Sequence, residues 1–197
     1  TVETFYRLGK EPTIGQTYYI DFTRDRSKFN TRTFSNLNDV VRTYGPISLE
    51  NTLSMGAFLA FSNGANAIAC KQIQLTSDQT APTEDQMITA FQAIEGEIVS
   101  GLSPSVIMPL LPSSTSLLSA ISNHCDVQSS IRYRSERRAV MGCAVGTQPR
   151  DAQALASATG NTRVCLVYPD MARISFTDTA GVSQNYLVGS EMVAVAV

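Results

Sequence analysis

His124 and Cys125 are the one adjacent pair in this 197-residue chain that offers a base beside a thiol. A cysteine nucleophile needs its base within hydrogen-bond reach. Adjacent residues on a helix, however, point about 100° apart and do not face each other. Cys125 falls inside an apolar face with Leu117, Leu118 and Ile121, and His124 falls at its edge. A buried thiol without a base is inert. The four cysteines (Cys70, Cys125, Cys143, Cys165) contain no C-x-x-C spacing, and one histidine cannot complete a zinc site with them. Three lie in apolar, strand-like runs, so the expectation is buried, reduced thiols in an intracellular product.

Two glycine-containing runs fail the tests for chemistry. Gly101-Leu-Ser-Pro-Ser105 lacks the second glycine of a nucleophile elbow, and Pro104 obstructs the helix that should follow. Gly142-Cys-Ala-Val-Gly146 follows a strand but lacks the full dinucleotide fingerprint and heads into Pro149. No Walker phosphate loop occurs either. Both runs read as turns at element ends. The expectation is no catalytic residue, no metal and no cofactor.

Charge is the sharper signal. The net charge is −2, but residues 1–42 carry +2, residues 43–131 carry −6 and residues 132–197 carry +2. Arg132-Tyr-Arg-Ser-Glu-Arg-Arg138 sets four arginines beside a tyrosine. Such a run suits phosphates, but a nucleic-acid binder shows a net basic domain, and this one is acidic. The plain reading is a solvated helix-to-strand connection. The functional reading is docking onto an acidic surface of a neighbouring copy: Arg132, Arg134, Arg137 and Arg138 against Glu84, Asp85 and Glu97. The acidic residues also have an ordinary role, because Glu84 and Asp85 suit the first turn of a helix.

The elements that must position these residues follow from periodicity. At 43% hydrophobic the chain suits one domain, burying ~70% of its unfolded surface. No apolar run is long enough to span a bilayer, and no signal peptide is recognisable, so it is expected to be soluble, with no membrane insertion. A polar, strand-rich part (1–42) holds candidate strands at Thr17–Thr23 and Thr31–Phe34, a turn at Arg24–Lys28, and a helix capped by Asn38-Asp39 and ending at Tyr44. Ser48 is expected to cap a central helix in which Leu49, Leu53, Ala57 and Ala60 fall near one face. Met55, Phe58, Leu59 and Phe61 make that helix apolar nearly all round, which requires burial on most sides. Asn63-Gly64 ends it, and a strand is expected over Ile68–Leu75.

Thr83–Gln86 is a capping box opening a helix with a stripe of Met87, Phe91, Ile94 and Ile98; Glu95 falls inside its apolar arc. Strands are expected at Ser105–Leu111, Arg138–Val145 and Arg163–Tyr168, with helices after Ser113 or Ser114 and over Asp151–Ala158, the latter ending at Gly160. Arg173–Thr177 and Gln184–Val188 pair as a hairpin around Ala180-Gly181. Short apolar strands alternating with helices predict an α/β fold: a mostly parallel or mixed sheet flanked by helices, with a strand-rich N-terminal part and a C-terminal hairpin. Thr1 is no initiator methionine, and the run Ser190–Val197 stops without a terminator, so the chain reads as a fragment of a longer one.

The order of these pieces resembles one known family. Tyr44-Gly-Pro-x-Ser-x-x-Asn51, Phe61-Ser-Asn-Gly-Ala65 before a strand, Asn161-Thr-Arg-Val-Cys-Leu-Val-Tyr-Pro-Asp170 and Leu187-Val-Gly-Ser190 are laid out as in the sheath proteins of contractile bacteriophage tails. Tyr18-Tyr-Ile20 fits the same layout, so the similarity runs from about Thr17 to the end. The resemblance implies a non-enzymatic structural subunit of the virion tail, assembled in the host cytoplasm. Its copies stack as hexameric rings around a tail tube above a baseplate, and contraction releases energy stored at assembly. Extended arms complete sheets in neighbouring subunits by strand addition. The family continues into a C-terminal assembly domain absent here, so this piece is expected to be monomeric. The rivals are a sheath from a phage-derived secretion system or bacteriocin, and an α/β enzyme using Cys125 as nucleophile.

Overall fold

The computed structural model describes residues 30–75, 79, 81–94, 104–177 and 183–196. The expected strand at Thr17–Thr23, the turn at 24–28, residues 95–103 with Glu95, Glu97 and Ile98, and the hairpin tip at 180–181 lie outside them. Within them the fold is mixed α/β. A parallel sheet is ordered β3 (Val106–Ile107), β4 (Arg138–Gly142), β5 (Val164–Val167). Its register pairs Val106 with Arg138 and Ala139 with Val164. Antiparallel pairs are formed by β1 (Arg32–Phe34) with β2 (Ile68–Cys70), and by β6 (Met171–Thr177) with β7 (Ser183–Gly189).

Two β-α-β units build the parallel sheet. Between β3 and β4 runs α4 (Thr115–Gln128), whose N-cap Ser114 accepts a bond from the Leu117 N–H. Between β4 and β5 runs α5 (Pro149–Thr159), with proline in its first turn and Gly160 left-handed at φ 58°. Helix α3 (Glu84–Ala93) opens on the expected capping box and lies beside α4. Leu117, Leu118, Ile121 and Cys125 of α4, Met87 and Phe91 of α3, and Ala139 and Met141 of β4 form one core on this face. Each large side chain removed from water there stabilises by roughly 1.5–3 kcal/mol.

The opposite face meets the C-terminal helix near Gly142. Helix α6 (Ser190–Ala196) crosses it so closely that a Cβ on Gly142 would lie 2.1 Å from the Ser190 carbonyl carbon. The central helix α2 (Thr52–Ser62) bridges two further cores. Met55 and Leu59 pack with Val188, Met192 and Val195; Ala57 packs with Phe34, Val40 and Cys70 beneath α1 (Leu37–Tyr44). Burial on two sides is what its all-round apolar surface requires.

Several sequence boundaries are corrected. Asn51, not Ser48, caps α2, and Leu49 precedes the helix at 50% exposure. Asn51 wins because its amide also donates to the Tyr44 and Pro46 carbonyls, at 3.0 and 2.9 Å. Likewise Asn36, not Asn38, caps α1. Strands β2 and β3 are shorter than their apolar runs, since burial there comes from packing against helices. Leu53 is only half-buried; Ser54, Met55, Gly56 and Ala57 are deeper.

Candidate functional site

The arginine run is organised by the end of α4. Ser129 closes the helix, and its hydroxyl accepts the Arg137 N–H at 3.0 Å while the Ser135 N–H reaches back to the Gln128 carbonyl at 2.9 Å. To fold back this way the loop places Arg134 at φ 51°, alone among the described non-glycine residues at positive φ. The consequence is a split run. Arg132, Arg134 and Arg138 are exposed, with the Arg132 guanidinium 5.4 Å from the Tyr133 ring centroid. Ile131, 87% exposed, stands on the same loop.

Arg137 instead turns inward and is fully buried. Its Nη1 donates to the Ile94 carbonyl at 3.1 Å and lies 2.8 Å from Nε2 of the buried His124. Arg137 is therefore removed from the expected docking set: with no exposed surface it holds the end of α3 against the end of α4. Sequence reasoning missed this because charge alone does not tell a surface arginine from a buried one. The alternation along β4 was the available signal, since Arg137, Ala139 and Met141 share a parity and all are buried.

The acidic partners stand elsewhere. Glu84 and Asp85 are exposed in the first turn of α3. Ser116 donates to the Glu84 carboxylate, which the Ser116 and Ser114 hydroxyls together hold below the usual carboxylate range. Glu84 thus already serves the start of α4. Glu97 lies outside the described residues.

Contacts at both ends show α3 and α4 running side by side in one direction: Glu84 meets Ser116, and Phe91 lies 6.0 Å from the His124 ring. From Ser116 to Gln128 the helix rises ~18 Å. The acidic turn and the exposed arginines thus sit at opposite ends of one helix pair. They do not meet within a molecule.

The possible chemistry of the thiols is equally clear in place. Cys70, Cys125 and Cys143 are buried, whereas Cys165 is exposed, correcting the expectation of uniform burial. Burial pushes Cys70 up to about 12 and, with Asp126 adding, Cys125 up to about 11. Such thiols stay protonated at neutral pH. His124 is on the same helix, but its Nε2 is directed at Arg137. Outside the C-terminal ends of β4 and β5, where α/β proteins commonly bind ligands, the chain's own α6 sits instead. The Ser190 hydroxyl donates to the Cys143 carbonyl at 2.5 Å and its N–H to the Asp170 carbonyl at 2.9 Å. Among the described residues no cluster of three or more His, Cys, Asp or Glu suits a metal, and no described helix is long and apolar enough to cross a membrane.

The runs singled out by resemblance are structural joints. In the first, Asn51 ties Tyr44, Pro46 and Ser54 together, and the Ser54 hydroxyl donates to the Gly45 carbonyl at 2.8 Å. In the second, the Ala65 N–H reaches the Ala60 carbonyl at 3.0 Å and the Gly64 N–H the Phe61 carbonyl at 3.1 Å, a Schellman stop with Gly64 at φ 92°. In the third, Asn161 reaches Asp126 at 2.9 Å, Arg163 pairs with Glu136 at 2.6 Å, and Asp170 accepts the Gly146 N–H at 2.8 Å. No family model matches the chain, and no curated protein matches it.

Proposed function

We propose that the chain is a structural, non-enzymatic subunit of a contractile tail sheath, stacking with copies of itself around a tube. One observation carries the reading most: every residue run that carries the resemblance and lies within the described residues is spent on joining elements, and none presents a reactive group in a cleft. A subunit that transmits load needs helices that start and stop rigidly. Capped, cross-tied ends at Asn51, Gly64 and Asn161 supply that. The opposed charges add support. An acidic turn at one end of a helix pair and exposed arginines at the other suit head-to-tail contacts between copies, which propagate instead of closing on themselves.

The test uses the full-length product. Electron microscopy should reveal ringed or helical tubes; discrete globules count against the reading. Reversing Arg134 and Arg138 together to Glu should weaken assembly. At up to ~1 kcal/mol per exposed pair, the concentration needed for tubes rises by up to roughly 30-fold, and the dependence on salt falls. Tubes forming unchanged would remove these arginines from the contact. Whether the assembly belongs to a virion or to a phage-derived machine is decided by what its tube carries.

A further inference from the structure

A cavity of about 250 Å³ lies where the start of α2 meets the end of β7 and the start of α6, with Leu49, Met55, Leu187, Glu191 and Met192 in its walls. Tyr186 and Val188 pack inward with Met55 and Met192, so the alternation of β7 turns Leu187 outward, 55% exposed. Leu49, two residues before the Asn51 cap, is 50% exposed. Two large apolar side chains thus frame an opening that also holds a carboxylate. Glu191 lies against Gly189, where a Cβ would stand 2.4 Å from its Oε2. That oxygen is shielded from water and, among the described residues, has no hydrogen-bond partner. A place in the first turn of α6 suits the charge of Glu191, but it leaves this buried acceptor without a donor, which is costly. Glu50, beside Leu49, is exposed, and so is Arg173, the cross-strand partner of Leu187. The surroundings of the cavity therefore carry two acids and one base.

We infer that this cavity is the socket for a second copy of the chain, which inserts its Ile131 between Leu49 and Leu187 and sets its Arg134 on the Glu191 carboxylate. The inference rests on the docking of copies proposed above and names the surface that receives the arginine loop. Three observations select this occupant. First, Ile131 is 87% exposed on that loop, a large apolar side chain held out in water with arginines on either side of it in the run that follows and in the fold. Second, the size fits: an apolar cavity of ~150 Å³ admits benzene, so one of about 250 Å³ has room for an isoleucine side chain. Third, the charges match. A guanidinium only donates, and Glu191 Oε2 lacks a donor. Arg134 is the better placed of the loop's arginines, since the Arg132 guanidinium already lies over the Tyr133 ring. Loop and socket are different surfaces, so the contact is head-to-tail and repeats from copy to copy.

Photo-cross-linking of the whole chain tests this. A diazirine analogue of leucine at position 131 keeps the apolar shape, and mixing heavy-isotope and ordinary chains marks the links made between copies. At low salt those links should fall on Leu49–Met55 and Leu187–Met192, on the order of tenfold above any other segment. Glu191→Gln should lower their yield up to about fivefold. Arg173→Glu replaces the rim base by a third acid and should raise it by a similar factor, a gain that damage to the fold cannot produce and that stands if Glu191→Gln does not fold. Links that are absent between copies, or spread over the surface, overturn the proposal. Links at the socket that ignore both variants also overturn it, because the carboxylate then plays no part. Tubes from the full-length product without these links strike the socket alone, whereas these links without tubes keep the socket and strike the sheath reading.

Discussion

Acid should loosen this fold through His124. Its ring is 1% exposed, and Nε2 lies 2.8 Å from the Arg137 guanidinium. A guanidinium only donates, so Nε2 must accept and the ring proton sits on Nδ1. Protonating Nε2 turns a hydrogen bond into two opposed donors and sets two like charges side by side. Burial, and after it Arg137, lowers His124 from 6.5 to about 4. The unfolded chain therefore binds this proton at a higher pH than the folded one. The contribution is complete above pH 6.5 and is lost progressively as pH falls toward 4. Each pH unit in that window is worth about 1.4 kcal/mol per proton. At pH 4.5 the loss is roughly 2 to 3 kcal/mol, a large share of the ~5–15 kcal/mol that stabilises a typical domain. Urea midpoints at pH 7.5 and 4.5, for the unaltered chain and for His124→Gln, isolate the effect. Glutamine keeps an acceptor but does not titrate, and the surface carboxylates contribute equally to both. The unaltered chain should lose about 2 to 3 kcal/mol more than the variant. Parallel losses would refute the buried neutral imidazole.

Three further outcomes follow from particular contacts. Gly142→Ala drives a Cβ to 2.1 Å from the Ser190 backbone and should cost several kcal/mol, read as a fall in Tm, because both strand and helix must shift. Asn51→Ala removes the α2 cap and the ties to Tyr44 and Pro46, and should lower the urea midpoint by the equivalent of about 2 kcal/mol. A thiol reagent should label Cys165 at once in the folded protein and reach Cys70, Cys125 and Cys143 only on unfolding; early modification of Cys125 would revive the nucleophile reading.

Much of the fold was legible because local rules and tertiary packing agree along most of the chain. The Thr83–Gln86 box, the Leu117–Cys125 stripe and the αL stop at Gly160 form as their residue types dictate. Disagreement arises where a side chain has two uses. Ser48 has a good capping hydroxyl, yet Asn51 can cap and donate at the same time, so the helix starts three residues later than expected. Pro149, read as an obstacle to the run before it, is the first residue of α5, where its missing N–H costs nothing. At the candidate site the four arginines are equivalent in composition and separate only in three dimensions, when Ser129 pulls the backbone of Arg137 inward.

That separation changes what the arginine run can do. A charge reversal at Arg137 would leave a carboxylate in a buried site shaped for a guanidinium, and breaking such an arrangement costs about 3–5 kcal/mol. Its loss of assembly would report unfolding and say nothing about docking. Arg134 is the informative position, because it is exposed and its φ of 51° is one that a side chain disfavours. Arg134→Gly relieves the backbone and should stabilise the monomer by up to about 1 kcal/mol. If Arg134 also docks onto a neighbouring copy, the same change should raise the concentration needed for the proposed tubes. Tm and assembly then move in opposite directions, a signature that damage to the fold cannot produce. A Tm rise with unchanged assembly would leave Arg134 as a loop residue of this chain and nothing more.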